Sequence, residues 1–538
     1  MLSRQVFHLL IALFILVAFA VRIPDLDRKP MHTDEAVHAF KTGELLEGHS
    51  FRYDPMDFHG PLLHYSAWIS ARLHGVRQYQ DLQPRHLRLA TVVYGSLLIA
   101  WLWALYNVLP PRALLVSAAL FIVSPALVYY SRYFIMETLL VFFHLGFTIA
   151  IMRYLAKPTT GWLVMGAACL GLMFATKETA LLYLLAAGLG LIATLTLAPN
   201  RSTLLSRLKM AARPWQLPLF FIICALVFAI LVSAFGSHWE SIITYLQGYG
   251  THIQRGLNDH THVKPWYYYG RLLIFSHWDQ GPVWSEGLIL ILGAVGAVHF
   301  YRQRNFANTP QVTAHNFLVW NTLLGILLFS LVPYKTPWNM LGFLAGMILL
   351  AGQGVLVLFQ KYSGHRQRLV LAGVLLVGFG HLAWQMGAAT TRYDASPLNP
   401  YVYAHTSHEL ERLVTGLNQV AAVDSAGFGL PIQVIAGGHD YWPLPWELRK
   451  FSQVYWWAAI DTGIAPAAVI LGRMTANDRD SVEAVIAEYV YSGFAPGQKI
   501  MYTSLFGAPI ALRPGVSLAA FIKYDLYNRL PWAVKSDP

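Results

Sequence analysis

The sequence predicts a polytopic α-helical membrane protein with a C-terminal α/β domain, and three observations indicate this fold class. Of the 538 residues, 56% are hydrophobic, only 12% are charged, and the mean hydropathy is +0.44. Soluble globular proteins contain about 25% charged residues. Before residue 389, about eleven mostly apolar stretches have the length of roughly 20 residues that a helix needs to cross a bilayer. Beyond that residue, short β-rich runs alternate with helical stretches.

The loops between the apolar stretches support one orientation in the membrane. The candidate spans lie near 5–22, 88–109, 113–130, 137–155, 161–176, 179–198, 216–236, 284–301, 315–333, 338–360 and 369–388. If Arg4 is cytoplasmic, the later cytoplasmic loops contain Lys and Arg but no Asp or Glu. This excess of basic residues is what the positive-inside rule describes. Topology therefore explains the formal charge of +11, and we expect no nucleic-acid partner.

An odd number of spans places the rest of the chain outside the cytoplasm. We expect a multi-pass protein of the cytoplasmic (inner) membrane, with a transmembrane domain over 1–388 and an extracytoplasmic domain over 389–538. The first extracytoplasmic loop is 23–87. Ala18-Phe19-Ala20 is similar to a signal-peptidase site, so cleavage of residues 1–20 is an alternative for the first span. Either alternative leaves Asp34 outside.

The C-terminal region predicts a small α/β layer. The β-rich runs are 432–437, 467–472 and 501–505, and the helical stretches are 407–420 and 479–490. The segment GGHDYWPLPWELRKF (437–451) is rich in aromatic residues, which either pack in a core or interface or contact a glycan acceptor. Cys169 and Cys224 lie in apolar runs, so the sequence predicts neither a disulfide nor a zinc site.

Several polar residues lie beside the predicted spans on the outer side, where charge is costly and therefore indicates function. They occur in MHTDEAVHAF (31–40), FRYDPMDFHGPLLHY (51–65), YYSRYFIMETLL (129–140), FATKETALLY (174–183) and VPYKTPWNM (332–340). The candidate site residues are Asp34, Glu35, His59, Arg132, Glu137, Lys177, Glu178, Tyr334 and Lys335. All of them are predicted to lie at one face of the bilayer.

The basic candidates also have structural explanations. Arg132 and Glu137, five residues apart, could form an ion pair between two helix ends. Lys177 and Lys335 could extend their ammonium groups to the lipid headgroups. These alternatives stay open at the level of the sequence.

The acidic and histidine candidates have structural explanations as well. Asp34 could cap a helix that starts at Thr33, because acidic residues are common in the first turn. His59, beside Gly60-Pro61, could belong to a turn. What favours function is the combination of an acidic pair with several cations on the same surface.

Such a combination suits sugar transfer from a polyprenyl phosphate. Cations near the membrane surface would stabilise the phosphate as it leaves. A carboxylate would take the proton from the attacking hydroxyl group and would also stabilise positive charge on the sugar ring. The lipid tail stays in the bilayer while the sugar meets its acceptor in water.

The chain resembles the GT-C superfamily of polytopic glycosyltransferases over nearly its whole length. The acid pair matches that of protein O-mannosyltransferases and lipid A aminoarabinose transferases, and FHGPLLHY and TKET resemble further segments of these enzymes. The nearest resemblance is to a bacterial and archaeal family described as flippase-activity-associated. It rests on TDEAVHAF, YDPMDFHGPLLHY, SRYFIMETLLVFF, ATKET, YKTPW and DYWPLPWELRKF.

This resemblance implies roles for individual residues. Asp34 would be the catalytic base, and Glu35 its catalytic neighbour or a metal or acceptor contact. Lys177, Arg132 and Lys335 would contact the donor phosphate, although aminoarabinose transferases differ around the turn that corresponds to Lys335. The remaining donor-phosphate or substrate-binding candidates are His59, Glu137, Glu178 and Tyr334.

The expected function is therefore an inverting transfer of a sugar from a polyprenyl-phosphate donor to a glycan, lipid or protein acceptor. The alternative is a transporter or flippase-accessory protein for lipid-linked sugars without transferase activity, and a structural membrane protein is a third possibility. A transporter would bury ionisable groups near the bilayer midplane. No resident cofactor is expected, but Asp34, Glu35, Asp54 and Asp57 could hold Mg²⁺ or Mn²⁺ through their oxygens.

Overall fold

The computed structural model describes residues 3–56, 59–199, 201–211, 213–258, 262–278, 280–304, 309–438, 440–459, 466–474 and 502–531. The helices before residue 404 are α1 (Arg4–Arg22), α2 (Thr33–Leu46), α3 (Leu62–Leu73), α4 (Pro84–Leu97), α5 (Trp101–Ala104), α6 (Pro111–Val123), α7 (Pro125–Ser131), α8 (Glu137–Ala156), α9 (Thr160–Phe174), α10 (Ala180–Thr196), α11 (Arg201–Ala211), α12 (Gln216–Val232), α13 (Glu240–Asn258), α14 (Tyr268–Ile274), α15 (Gly287–Gln303), α16 (Pro310–Leu331), α17 (Leu341–Lys361) and α18 (His365–Thr390). The later helices are α19 (Leu410–Val423), α20 (Leu444–Glu447) and α21 (Tyr524–Tyr527). The strands are β1 (Ile432–Ile435), β2 (Val454–Trp457), β3 (Val469–Met474), β4 (Tyr502–Ser504), β5 (Ile510–Arg513) and β6 (Val516–Lys523).

Each predicted span coincides with a helix or a pair of helices. Within the described ranges, six helical stretches are long and apolar enough to cross a membrane: Arg4–Arg22, Pro84–Ala104, Glu137–Ala156, Pro310–Leu331, Pro337–Lys361 and His365–Thr390. The bent pairs α6–α7 and α10–α11 raise this number to eight, while α9, α12 and α15 are apolar but shorter. The multi-pass helical fold is confirmed, and the count of about eleven spans stays a prediction.

Small residues let neighbouring helices of the bundle approach closely. A Cβ atom on Gly296 of α15 would overlap the carbonyl oxygen of Leu350 on α17, and one on Gly354 of α17 would overlap that of Leu292. Helices in membranes associate largely through such contacts, because burial of apolar side chains supplies little driving force in lipid. The two glycines therefore fix the spacing of α15 and α17.

Other helices present apolar side chains to their surroundings. In α12 only Gln216 and Val232 are buried, and Leu217, Phe221 and Ile222 are each at least 60% exposed. A helix that is apolar on all sides and remains exposed is suited to contact lipid, since all of its backbone hydrogen bonds are made internally.

The chain divides into two compact units. The first comprises Met1–Leu26, Glu44–Val76 and Gln83–Tyr403, and the second comprises Asp27–Gly43, Arg77–Leu82 and Ala404–Pro538. The segment with the acid pair therefore packs with the C-terminal unit, although it follows the first span in sequence. The functional division into 1–388 and 389–538 stays a prediction.

The second unit contains a mixed sheet with the strand order β2-β1-β3-β6-β4, and β5 pairs with β6. β1 runs parallel to β2 and β3, whereas β6 runs antiparallel to β3, β4 and β5. Leu413 and Leu417 of α19 belong to the same core as Val434 and Leu471 of the sheet. The α/β layer is therefore confirmed. The helix predicted at 479–490 lies outside the described residues.

Candidate active site

The structure separates the two members of the acid pair. Both lie in the first turn of α2, which begins at Thr33. Glu35 is fully buried, and its Oε2 accepts a hydrogen bond of 3.0 Å from the backbone N–H of His32. The side chain of Asp34 is 44% exposed, and the backbone N–H of Asp34 donates to His32 Nδ1 at 3.0 Å. One carboxylate thus stabilises the start of its own helix, while the other faces outward.

A buried imidazole lies beside this turn. The ring centroids of His405 and His32 are 5.5 Å apart, and His405 Nδ1 is 3.0 Å from the carbonyl oxygen of Thr406, to which it donates. Burial, with smaller contributions from Lys29 and His32, lowers the pKa of His405 well below its usual value, against an opposing contribution from Glu35. His405 is therefore neutral at pH 7.

A second cluster, in the first unit, joins the segments 51–65 and 174–183. His59 Nδ1 lies 2.6 Å from Oε2 of Glu178, and the hydroxyl group of Tyr53 donates to Oε1 at 2.8 Å. A side chain at Gly60 would overlap the carbonyl oxygen of Ala175, so glycine is needed for this close approach. The side chain of Glu178 is 6% exposed and that of His59 is 29% exposed. A buried carboxylate therefore orients an accessible imidazole.

The residue before Glu178 belongs to an ion pair. Lys177, in the loop between α9 and α10, binds Oε1 of Glu137 in the first turn of α8. The side-chain exposures are 13% for Lys177 and 6% for Glu137. Because Glu137 binds Lys177, the ion pair between Glu137 and Arg132 that the sequence left open is not formed.

Arg132 instead stabilises the end of the first span. Its Nη1 donates to the carbonyl oxygen of Arg22 at 2.9 Å, and its Nη2 to that of Asp25 at 3.3 Å. Burial, followed by the nearby charge of Arg88, lowers the pKa of Arg132 to about 10, so the guanidinium stays charged at pH 7.

The remaining pair of candidates, Tyr334 and Lys335, follows α16. Lys335 is buried, and its Nζ donates to the carbonyl oxygens of Lys264, at 3.1 Å, and Val332. The ring of Tyr334 lies 4.8 Å from that of His262. Lys335 is thus held by backbone oxygens rather than extended to headgroups, and burial lowers its pKa.

Sequence reasoning missed Glu286, an acid at the start of the predicted span 284–301. Glu286 is fully buried and accepts hydrogen bonds from Ser124 Oγ at 2.6 Å, the Ala126 N–H at 2.9 Å and Tyr401 Oη at 3.1 Å. It thereby caps the start of α7, where Pro125 interrupts the span with a bend of 58°. Arg132 follows the other end of α7, so this acid helps to place it.

Sequence reasoning also missed a cavity inside the bundle that polar side chains line in part. It is lined by His144 and Thr148 of α8, Tyr183 of α10, and Asn321 and Thr322 of α16. In the part of the chain that the structure describes, His144 Nδ1, Asn321 Oδ1 and Thr322 Oγ1 are buried without hydrogen-bond partners. Single polar residues in the apolar runs VFFHLGF and VWNTLLG were the available signal.

No group of three or more His, Cys, Asp or Glu side chains able to hold a metal ion occurs within the described ranges. Asp57, one of the four acids considered for Mg²⁺ or Mn²⁺, lies outside them. The divalent ion therefore stays a prediction.

Comparisons with known proteins bear on the fold. The family model for dolichyl-phosphate-mannose-protein mannosyltransferase matches residues 58–223. Among solved structures, ArnT from Cupriavidus metallidurans bound to undecaprenyl phosphate is similar with a TM-score of 0.58 and 14% identity, over 98% of this chain and 99% of that chain. The oligosaccharyltransferase of Archaeoglobus fulgidus tethered with an acceptor peptide gives a TM-score of 0.58 and 11% identity, over 91% of this chain and 71% of that chain. AglB from the same organism, in complex with an inhibitory peptide and a dolichol-phosphate, gives 0.55 and 12%, over 98% and 77%.

The comparison with curated protein sequences gave no match. The resemblance to the flippase-activity-associated family stays a prediction. The structural matches show that the chain shares the fold of ArnT and of the archaeal oligosaccharyltransferase over nearly its whole length, as the resemblance to the GT-C superfamily led us to expect.

Proposed function

We propose that the protein is an integral membrane glycosyltransferase that transfers a sugar from a polyprenyl-phosphate donor to an acceptor on the outer face of the cytoplasmic membrane. The GT-C fold supports the reaction class, and two similar structures contain undecaprenyl phosphate or dolichol-phosphate. The observation that carries the proposal is the different exposure of the two adjacent acids. The side chain of Asp34 is exposed in the first turn of α2, whereas that of Glu35 is buried.

In this proposal Asp34 is the general base. Its carboxylate takes the proton from the acceptor hydroxyl group as that oxygen attacks the anomeric carbon of the sugar. The N-terminal end of α2 favours a negative charge at this position. Glu35 acts on the base indirectly, because it is buried and holds the backbone of the turn.

Charged side chains of the first unit would bind the donor phosphate. The leaving phosphate carries negative charge after the C–O bond to the sugar breaks, and preorganised cations lower the cost of that charge. Lys177 is one such candidate, since Glu137 fixes its position and its side chain is 13% exposed. Arg132 and His59, each partly exposed, would supply further donors. Lys335 is buried against carbonyl oxygens and fits a supporting role better.

The outer-face location follows from charge and topology. The basic loops of the predicted spans assign the turn with Lys177 and the C-terminal unit to the extracytoplasmic side. A lipid-phosphate donor is suited to transfer on this side and replaces a nucleotide sugar, because its tail stays in the bilayer while its sugar meets the acceptor in water.

One observation favours the alternative, a transporter or accessory protein for lipid-linked sugars. His144 and Asn321 are polar groups buried inside the bundle, where a transporter would place them. The two functions differ in a measurable product, because only transfer breaks the bond between the sugar and the phosphate.

The experiment uses the purified full chain in lipid nanodiscs with short-chain polyprenyl-phosphate mannose as the first of several donor sugars. A detergent extract of cell-envelope membranes supplies acceptors, and mass spectrometry measures the released polyprenyl phosphate. Release that is lost in Asp34→Asn supports the transferase. Donor binding without release from any donor would favour the transporter. Parallel reactions with EDTA, Mg²⁺ or Mn²⁺ test the need for a divalent ion.

A further inference from the structure

We infer that the C-terminal sheet positions the catalytic base, and that Arg513 at the end of β5 is the residue that does so. The inference rests on the proposed role of Asp34. It assigns to the C-terminal unit a part in the chemical step, in addition to any part in acceptor binding. All residues in the argument belong to the second unit.

The guanidinium of Arg513 connects the sheet to the start of α2. Its Nη1 donates to the carbonyl oxygen of Trp442 at 2.6 Å and lies 3.5 Å from Oγ1 of Thr33. Its Nη2 donates to Oδ1 of Asp440 at 2.7 Å. The side chain of Arg513 is only 17% exposed. Since Asp440 and Trp442 fix the orientation of the guanidinium, it reaches Thr33 from a fixed position.

Neighbouring contacts come from the same part of the chain. The hydroxyl group of Thr406 donates to the carbonyl oxygen of Met31 at 2.7 Å, and the ring of His405 packs beside that of His32. Together with Arg513, these residues contact each of the three positions that precede Asp34. The backbone that carries the base is thus held by residues more than 370 positions away in sequence.

The C-terminal part of α2 is held as well. A Cβ atom on Gly43 would overlap the ring of Tyr79, and the ring of Phe40 packs edge-on against Tyr79 at 5.7 Å. The hydroxyl group of Tyr79 donates to the carbonyl oxygen of Pro445 at 3.3 Å. The helix is therefore anchored along its length, and Arg513 acts on the turn nearest the base.

Arg473 provides a natural comparison for Arg513. Its Nε lies 2.6 Å from Oδ2 of Asp440, on the other oxygen of the carboxylate that binds Arg513. Both arginines pair with Asp440, but only Arg513 also contacts Thr33 in the described structure. A difference between their variants therefore reports on the contacts that Arg513 makes beyond the ion pair, which are those with Thr33 and with the Trp442 carbonyl oxygen.

The expected effect is on the rate of transfer rather than on donor binding. Misplacement of a catalytic group by about 1 Å costs on the order of 100-fold in rate. Arg513→Met should lower kcat at least about tenfold with the donor KM unchanged within about threefold. Arg473→Met should change kcat by less than about threefold. Arg513→Lys should recover only part of the loss, because an ammonium group cannot bind Asp440, Trp442 and Thr33 in the same planar geometry.

The test combines these rates with amide hydrogen exchange of residues 33–37 and the melting temperature, all on the full chain in nanodiscs with short-chain polyprenyl-phosphate mannose. Faster exchange at the Asp34 amide in Arg513→Met but not in Arg473→Met, together with the kcat loss, supports the inference. Equal effects of the two variants on kcat and exchange would overturn it. If the wild type transfers no sugar, the proposed function fails, and the exchange difference still shows whether Arg513 holds the turn.

Discussion

His59 Nδ1 lies 2.6 Å from Oε2 of Glu178, although the two residues are 119 positions apart. The contact brings the first loop against the turn that follows α9, next to the ion pair of Lys177 and Glu137. Because Glu178 is buried and also accepts a hydrogen bond from Tyr53, it fixes the orientation of an imidazole that remains accessible. Two separate acids thus hold two candidate phosphate contacts.

This arrangement predicts coupling between His59 and Glu178. Glu178→Gln replaces one acceptor oxygen by a donor NH₂ group, so one of the two bonds from Tyr53 and His59 is lost, at a cost of about 1–3 kcal/mol. The donor KM should rise, and the effects of Glu178→Gln and His59→Asn on KM should be less than additive. Tyr53→Phe is the control, since it removes one hydrogen bond and leaves the imidazole in place. Additive effects of the two variants would contradict the coupling.

The ion pair predicts that Lys177 has separable structural and functional roles. Lys177→Met leaves the buried carboxylate of Glu137 uncompensated, which should cost about 3–5 kcal/mol of stability. The double variant Lys177→Met/Glu137→Leu removes both charges and should recover most of the melting temperature. It should not recover sugar transfer, because the phosphate has lost a cation. If the double variant transferred sugar normally, the role of Lys177 would be structural only.

The acid pair predicts opposite phenotypes for adjacent substitutions. Asp34→Asn should lower kcat by about 10²–10⁴-fold, the usual contribution of a general base, with little change in melting temperature. Glu35→Ala removes the acceptor of the His32 N–H and should destabilise the protein by about 1–3 kcal/mol. Measurements of thermal unfolding and of polyprenyl phosphate release on both variants check that the first loses rate and the second loses stability. Near-normal release by Asp34→Asn would exclude it as the base.

The helices and the small C-terminal sheet could be predicted because their signals are local. A run of about 20 apolar residues indicates a span wherever it occurs. The helix start at Thr33 was also visible, since acids in a first turn are typical of capping. The different exposure of Asp34 and Glu35 could not be predicted, because burial depends on residues such as His405 that only the fold brings to this turn.

The pairing of side chains could not be predicted from spacing. Arg132 and Glu137 are close in sequence, but α7 ends before the first and α8 begins at the second, so they do not share a helix face. Glu286 was missed for a similar reason. An acid that precedes an apolar helix has no local feature that reveals hydrogen bonds to residues about 160 positions earlier.

The neutral His405 predicts a loss of stability in acid. Its pKa is depressed in the folded state, so below the unfolded value of about 6.5 the unfolded chain binds a proton that the folded chain does not. The stabilisation is therefore complete above about pH 6.5 and is lost as the pH falls, by up to about 1.4 kcal/mol per pH unit. His405→Gln should reduce the pH dependence of the melting temperature between pH 5 and 7. An unchanged pH dependence in this variant would show that His405 titrates normally.

The packing of α15 against α17 predicts that the melting temperature is sensitive to substitution of one glycine and insensitive to substitution of another. A side chain at Gly296 would overlap the Leu350 carbonyl oxygen, so Gly296→Val must push the helices apart or distort them. Overpacking of this kind costs about 1–3 kcal/mol, and in the membrane the lost close contact is a main source of helix association. On α18, a Cβ atom added to Gly373 would meet no other atom within 4 Å, so Gly373→Val is the matched control with the same change in side chain. The melting temperature in nanodiscs should fall for Gly296→Val and stay nearly constant for Gly373→Val, whereas equal melting temperatures would mean that α15 and α17 are not held by this contact.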